Sequence, residues 1–223
     1  MKKMKASYDL MLYINYFLTS NLLFCVSIVL PIAWLVFFTP SLLNIIAIGF
    51  MFPGIAALIS CGIKYKESKT EVALGVLKHF IEGYRKNFKD TIKYCFVYAA
   101  IIFAVIFNIS YYGGEMPTFM IVALFALTTL STLIVTYMMV IAAKFQFRTR
   151  DLLRVSMYCI FMHFKTTTKI FIIYVLLFFA YPWVGGLIML LFTSPIVYLI
   201  IHFAQPALED VYENFVEKSE KDE

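Results

Sequence analysis

Six long runs of apolar residues constrain the fold of this chain more than any other feature of its sequence. A helix that crosses a bilayer needs about 20 predominantly apolar residues. Inside lipid every backbone N–H and C=O group must also be paired within the protein, which helices achieve. The runs cover residues 17–38, 42–63, 92–112, 118–143, 167–181 and 186–203. The sequence therefore predicts an all-α integral membrane protein with six transmembrane helices.

The composition excludes an ordinary soluble domain. Apolar residues make up 62% of the 223 residues and charged residues only 15%, whereas soluble domains carry about 25% charged residues. The apolar stretch that follows Lys2 and Lys3 starts late and lacks a small-residue cleavage site, so the first span is expected to remain as an anchor. We expect a multi-pass protein.

Basic residues determine the predicted orientation, because short loops rich in Lys and Arg stay in the cytoplasm. Of the 19 Lys and Arg residues, 17 fall before the first span, between spans two and three, between spans four and five, or after the sixth, and Lys93 and Lys169 lie in the first turn of spans three and five, next to those segments. These segments share one side of the membrane, so both termini are predicted to be cytoplasmic. The net charge of +5 is thus a topological signal and gives no evidence of nucleic-acid binding.

The segment IEGYRKNFKD, residues 81–90, carries five charges in ten positions. Apolar residues recur every three or four positions through it, which predicts an amphipathic cytoplasmic helix with one buried side. That side can lie at the lipid headgroups or against another protein, and the sequence leaves both open. For the second case, the predicted partner-docking residues of the two cytoplasmic segments are Tyr84, Arg85, Lys86, Phe88, Lys89, Arg148, Arg150 and Arg154.

Two segments of the chain are similar in sequence. NFKDTIKYCFVY (87–98) and HFKTTTKIFIIY (163–174) share five of twelve residues at an offset of 76. This suggests that residues 42–112 are repeated in 118–181 with the same orientation, as in some transporters. The alternative is that all basic-to-apolar helix entries look alike.

The last segment has a different charge from the rest. Residues 1–205 are predicted to form the six-helix transmembrane domain, and residues 206–223 an acidic amphipathic cytoplasmic tail. Its apolar residues Leu208, Val211 and Phe215 recur at helical spacing. Anionic lipid repels an acidic helix, so we expect the tail to rest on the basic cytoplasmic helices of its own chain or on a partner.

No motif in the sequence indicates catalysis or ion coupling. The middles of the predicted spans carry no ionisable residue, although ion-coupled carriers generally need one there. His79, His163 and His202 lack the spacing of a metal site, and no nucleophile elbow, phosphate loop or carboxylate pair is present. We therefore predict no catalytic, cofactor-binding or metal site, and a protein that is not an enzyme.

Prolines within the spans point to irregular helices. Pro31, Pro53 and Pro195 each leave a backbone carbonyl without its usual donor, so kinks are predicted there, with simple packing as the alternative. Any cavity is expected near residues 52–54 and 193–195.

Small and hydroxylated residues indicate how the spans pack. Residues four apart that are both small let two helix backbones approach closely; the pairs are Ala56 with Ser60, Ala57 with Cys61, and Ala100 with Ala104. Hydroxyl groups crowd span four and are expected to bond across helices or back to their own carbonyls; they belong to Thr128, Thr129, Ser131, Thr132 and Thr136.

Four segments together resemble a known family. They are NLLFCVSIVLP (21–31), FPGIAAL (52–58), FIEGYRKNFKDTIKY (80–94) and VIAAKFQFRTRDLLRVSMY (140–158). In this order they resemble the landmarks of the YesL-like family, small bacterial membrane proteins of unassigned activity that are commonly encoded beside carbohydrate ABC importers and glycan-degrading enzymes. The resemblance implies a place in the bacterial cell membrane and an accessory role in carbohydrate uptake.

The leading hypothesis is a non-enzymatic accessory or regulatory membrane subunit associated with a carbohydrate ABC importer. Its expected partners are membrane lipid and the permease or ATPase subunits of the importer. The alternative is a small solute-binding membrane transport subunit, which should enclose a polar pocket open to the outside. A membrane enzyme comes third and should show converging titratable groups.

Overall fold

The described part of the chain is helical almost throughout. A computed structural model describes residues 2–37, 44–68, 73–112 and 116–216, and no strand occurs in these ranges. The elements are α1 Lys2–Phe37, α2 Asn44–Ser68, α3 Ala73–Tyr112, α4 Thr118–Lys144, α5 Thr149–Met162, α6 Phe164–Val184, α7 Gly186–Leu191, α8 Thr193–Val211 and a π-helical turn, Tyr212–Val216. The predicted all-α class is confirmed.

Five of these helices are long and apolar enough to cross a bilayer. Within the described ranges they are Met11–Phe37, Asn44–Glu67, Gly75–Tyr112, Thr118–Lys144 and Phe164–Val184. Each overlaps one of the first five predicted spans. The chain is therefore a multi-pass membrane protein.

The sixth predicted span, 186–203, is divided between two helices. α7 ends at Leu191, and α8 begins at Thr193 after Phe192, whose φ of −96° and ψ of 3° interrupt the helix. Pro195 explains the position of the break, since it has no N–H to donate to the Leu191 carbonyl and its ring would clash with that carbonyl in a continuous helix. Pro195 therefore lies in the first turn of α8, where a missing N–H costs nothing. In contrast, α1 and α2 are assigned as continuous helices through Pro31 and Pro53.

The amphipathic segment and the third span form one helix. α3 has 40 residues, which corresponds to a length of about 60 Å. Neither Gly nor Pro occurs between residues 84 and 112, so no helix breaker separates the charged part from the apolar part. The helix is about twice as long as the hydrocarbon core of a bilayer is thick, about 30 Å.

The charged part of α3 packs closely on α2. A Cβ atom built on Gly83 would lie 2.8 Å from the Ser60 Cβ and 3.5 Å from the Ala57 Cα, so only glycine fits the present spacing. Asn87 Nδ2 donates a 2.9 Å hydrogen bond to Ser60 Oγ. The pairs that contain Ala57 and Ser60 are buried at this contact, as predicted. Ala100 and Ala104 are exposed instead.

Hydroxyl groups of α4 connect it to α3 and α6. Thr136 Oγ1 donates to the carbonyl of Thr132 at 2.7 Å, and Thr132 Oγ1 donates in the same way to Thr128 at 2.7 Å. Tyr98 of α3 reaches Thr132 at 2.8 Å and Tyr174 of α6 reaches Thr136 at 2.6 Å. The expectation that these threonines bond both to their own helix and across helices is confirmed.

The N-terminal end of α8 is held by α1. Asn21 Oδ1 accepts a 3.2 Å hydrogen bond from the Ser194 backbone N–H, and the hydroxyls of Ser20 and Ser194 are 2.6 Å apart. One turn away, the rings of Tyr16 and Tyr65 stack at a centroid distance of 4.0 Å. These contacts position α8 beside α1 and α2.

The beginning of the acidic tail rests on its own chain. α8 continues through Pro206 to Val211, so these residues extend the preceding helix. His163 Nε2 lies 3.1 Å from Asp210 Oδ2, and the rings of Tyr158 and Phe215 are 5.3 Å apart. The segment therefore packs on α5 and the start of α6. Residues 217–223 lie outside the described residues.

The repeat of 42–112 in 118–181 stays a prediction. α4 ends at Lys144 and α5 begins at Thr149, whereas the corresponding residues between α2 and α3, 69–72, lie outside the described residues.

Candidate docking face and neighbouring grooves

The charged side of α3 is exposed because its opposite side is fixed on α2. Arg85, Lys86 and Lys89 are all exposed, whereas Gly83 and Asn87 are buried against α2. The side of the segment that carries Gly83 and Asn87 is thus covered by the chain itself, whereas Ile81 remains 43% exposed. We call the surface formed by Arg85, Lys86 and Lys89 the α3 basic face.

Two of the predicted docking residues face the interior of the protein. Tyr84 and Phe88 are only partly exposed, and their ring centroids are 5.5 Å apart. The Phe88 ring also lies 6.3 Å from Phe50 of α2. These aromatic side chains support the α3 basic face from behind and present little surface to a partner.

The other basic residues lie at the start of α5. Arg148, Arg150 and Arg154 are exposed, and Arg154 pairs with Asp151 at 3.6 Å. Arg148 precedes α5 in an extended conformation. This arginine group comes from a separate part of the sequence.

A polar cleft lies between these two basic segments. It has a volume of about 230 Å³, and its lining includes Lys86 and Asp90 of α3 together with Phe145 and Phe147 of the α4–α5 link. The structure therefore places the α3 basic face next to the segment that leads to Arg148. Their sequence separation gave no direct signal of this proximity, although the repeat did suggest a similar role for the two segments.

A second groove runs between α3 and α4, under the start of α5. Its volume is about 530 Å³, and Lys93 and Arg150 line it together with apolar side chains that include Val97 and Ile134. Lys93 is not among the predicted docking residues, so its position in the same groove as Arg150 was not predicted. We call this groove the α3–α4 groove.

A third cavity, of about 390 Å³, lies between α1 and α2. It is lined by Pro31, Trp34, Phe50, Tyr84 and a few smaller side chains. The segments 52–54 and 193–195, where a cavity was expected, line none of these three spaces. Pro53 and Ser194 are instead buried in helix contacts.

The three histidines occupy separate contacts. His79 Nδ1 lies 3.7 Å from Glu82 Oε2, His163 pairs with Asp210, and His202 Nδ1 lies 3.4 Å from Lys66 Nζ. Among the side chains that the structure describes, no three His, Cys, Asp or Glu residues come close enough to hold a metal ion.

The contact between His163 and Asp210 has an electrostatic consequence. The hydrogen bond with His163 lowers the pKa of Asp210, and hydrogen bonds from Tyr158 and Asn214 act in the same direction. Partial burial opposes them. Docking of the α8 end on α5 therefore favours the ionised form of Asp210.

One family model matches part of the chain. Residues 13–109 match the model of the family described as "Protein of unknown function, DUF624". YesL-like proteins belong to this family, so the match confirms the resemblance. The matched part contains most of α1, all of α2 and most of α3. No curated protein and no solved structure matches the chain.

Proposed function

We propose that this protein, a DUF624 family member by the match over residues 13–109, is a non-enzymatic accessory subunit of a carbohydrate ABC importer in a bacterial cell membrane. Importer association comes from the resemblance to YesL-like proteins. The observation that carries the proposal is the α3 basic face, which is exposed on a helix held firmly by α2.

The proposed topology has six spans and both termini in the cytoplasm. α7 and the beginning of α8 together serve as the sixth span, with the interruption at Phe192. Two contacts support a common basic end. Lys66 Nζ donates to Gln205 Oε1, and Lys64 Nζ donates to Glu82 Oε2 at 2.8 Å. They bring the end of α2 beside both α3 and α8, as the one-sided distribution of basic residues requires.

The α3 basic face suits a protein partner with an acidic surface. Among the described side chains, none forms an ion pair with Arg85, Lys86 or Lys89. Basic groups exposed in this way steer association and select partners of opposite charge. Because α3 is fixed along α2, a docked partner would meet a preformed surface and would pay little entropy to order it.

The alternatives gain less support. A solute-binding subunit for sugars needs a polar pocket open to the outside, whereas the cavity beside Pro31 and Trp34 is apolar. The cleft beside Lys86 is polar, but it lies at the basic end of the helices. A membrane enzyme needs titratable groups that converge, and the histidine contacts lie apart.

Charge reversal on the α3 basic face tests the proposal. Arg85→Glu with Lys89→Glu should leave the protein in the membrane but reduce copurification of permease and ATPase subunits at least tenfold. Added salt should weaken the wild-type complex in the same way, since exposed charges are screened. The matched control is Lys165→Glu with Lys169→Glu, an equal charge change at exposed positions of α6.

The comparison requires correct insertion, because basic residues also help to set orientation. Cysteine accessibility should therefore be measured in both double variants. If the correctly inserted Arg85 and Lys89 variant retains every partner of the wild type, or if both pairs lose partners equally, the α3 basic face is not the docking surface.

A further inference from the structure

The α3–α4 groove combines an apolar wall with a basic end. Val97 and Ile101 of α3 face Ile134 and Met138 of α4 across it. Val97 is 62% exposed, so the groove is open to the surroundings of the helices. Both walls belong to helices that are long and apolar enough to span the bilayer. The surroundings of the groove are therefore lipid chains.

Cationic groups gather at one end of the groove. Lys93 and Arg150 both line it, although they lie on different helices. Lys93 Nζ forms an ion pair with Asp90 Oδ1 at 2.9 Å, whereas Arg150 forms no ion pair in the described part of the chain. With Lys89, Arg148 and Arg154 nearby, against Asp90 and Asp151, this end of the groove is net positive.

The start of α5 adds hydrogen-bond donors at the same place. Arg148, the N-cap residue, makes no side-chain hydrogen bond to the first turn of α5. Thr149 and Arg150, the first two residues of that turn, line the groove. Free N–H groups at a helix N-terminus bind phosphate oxygens readily. A phosphate at this end would thus meet both side-chain and backbone donors.

The dimensions of the groove fit one leaflet. Along the α3 wall Ile101 follows Lys93 by eight positions, which corresponds to about 12 Å along the helix. One leaflet contributes about 15 Å of hydrocarbon. A phosphate at Lys93 and Arg150 would therefore leave an attached acyl chain lying along Val97, Ile101 and Ile134.

We infer that the α3–α4 groove binds one anionic phospholipid, with its phosphate at Lys93 and Arg150 and an acyl chain along the apolar wall. Basic pockets between membrane helices on the cytoplasmic side commonly take anionic headgroups. None of Arg85, Lys86 and Lys89 lines the groove, although Lys89 lies one helical turn from Lys93, so binding there does not require an importer partner. It would tie α3, α4 and α5 together at the membrane surface.

Native mass spectrometry of the full chain in mild detergent tests the site. The probes are phosphatidylglycerol, phosphatidylcholine with the same acyl chains, and inorganic phosphate. One phosphatidylglycerol should bind in preference to phosphatidylcholine. Lys93→Gln with Arg150→Gln should weaken its binding about 30-fold, because each basic side chain contributes about 1 kcal/mol toward anionic lipid. Lys78→Gln with Lys165→Gln removes the same charge at exposed positions outside the groove and should change binding less than about threefold.

A second variant keeps the charges and changes the wall. Val97→Trp fills the groove from an exposed position, where the larger side chain is tolerated, and should also weaken phosphatidylglycerol binding. Equal losses in the Lys93 and Arg150 variant and in the Lys78 and Lys165 variant, equal binding of the two lipids, or unchanged binding to Val97→Trp would each overturn the inference. Displacement of the lipid by inorganic phosphate would assign the site to a free anion instead.

Discussion

Gly83→Ala should weaken the contact that holds the α3 basic face in place. The added Cβ would lie 2.8 Å from the Ser60 Cβ, and the Ala57 Cα is only 3.5 Å away. Both atoms belong to or adjoin the α2 backbone and cannot rotate away. The two helices must therefore move apart by several tenths of an ångström.

The expected loss of stability follows from two unfavourable contributions and one favourable contribution. Overpacking of a close contact costs about 1–3 kcal/mol, and strain on the hydrogen bond from Asn87 to Ser60 costs up to about 0.6 kcal/mol, the average for such bonds in a membrane protein. Alanine in place of glycine inside a helix returns about 1 kcal/mol. These contributions sum to between about 0 and 2.6 kcal/mol, and we expect the free energy of unfolding to fall by about 1–2 kcal/mol, near the middle of that range.

Removing the Ser60 side chain should make Gly83→Ala stabilising instead of destabilising. In a Ser60→Gly background the clash and the hydrogen bond are both absent, so Gly83→Ala should stabilise the protein by up to about 1 kcal/mol. The coupling between the two positions should reach about 1–3 kcal/mol.

The free energies can be measured by titrating SDS into mild-detergent micelles and following helix content and tryptophan fluorescence. Gly186→Ala is the control, because its Cβ would come no closer than 3.6 Å to the nearest atom outside its chain neighbours and should change stability by less than about 0.5 kcal/mol. Equal destabilisation by Gly83→Ala in both backgrounds would refute the steric explanation, as would no destabilisation in the wild type.

Two further predictions concern topology and pH. A cysteine at Gly114 should react with an impermeant maleimide added to intact cells and one at Lys78 should not, because the basic segments stay inside; labelling at Lys78 would contradict the orientation. The pKa of Asp210 is lower in the folded chain than in the unfolded chain, so its contribution to stability is complete above the unfolded value of about 3.9 and is lost as pH falls through the folded value. The difference in stability between the wild type and Asp210→Asn, measured across pH, should therefore shrink on acidification, and a difference that grows would contradict the contact with His163.

Most helices could be predicted from the sequence because apolar runs of sufficient length have few alternatives in a membrane protein. The start of α4 at Thr118 coincides with the predicted limit, and α3 is helical up to Tyr112, the last residue described before α4. Whether two neighbouring helical segments are joined into one helix was harder to predict. An amphipathic helix followed directly by an apolar one has the same sequence pattern whether or not the two are joined, and only tertiary packing on α2 distinguishes these cases. A kink was predicted at Pro195, and the helix is interrupted at Phe192 because a proline acts on the carbonyl four residues before it.

Only part of the candidate site could be predicted from the sequence. Periodicity identified Arg85 and Lys89 as one exposed side of a helix, because this depends on local spacing alone. The same spacing put Tyr84 and Phe88 on the apolar side of this helix, but it could not show that α1 and α2 cover that side in place of lipid or a partner. The meeting of Lys93 with Arg150 depends on how α3 and α4 align, which no local pattern encodes.

Because α3 is one uninterrupted helix, it should move as a rigid body. A helix without a joint transmits a tilt at one end to the other end, so a partner that pulls on Lys89 would also displace Tyr112 near the opposite side of the bilayer. In the second basic segment the helix is interrupted at His163, 76 residues after Asn87, because α5 ends and α6 begins there. Movement of α5 can be absorbed at that interruption and need not reach the far end of α6. Force applied at the two basic segments should thus travel across the membrane along only one of them.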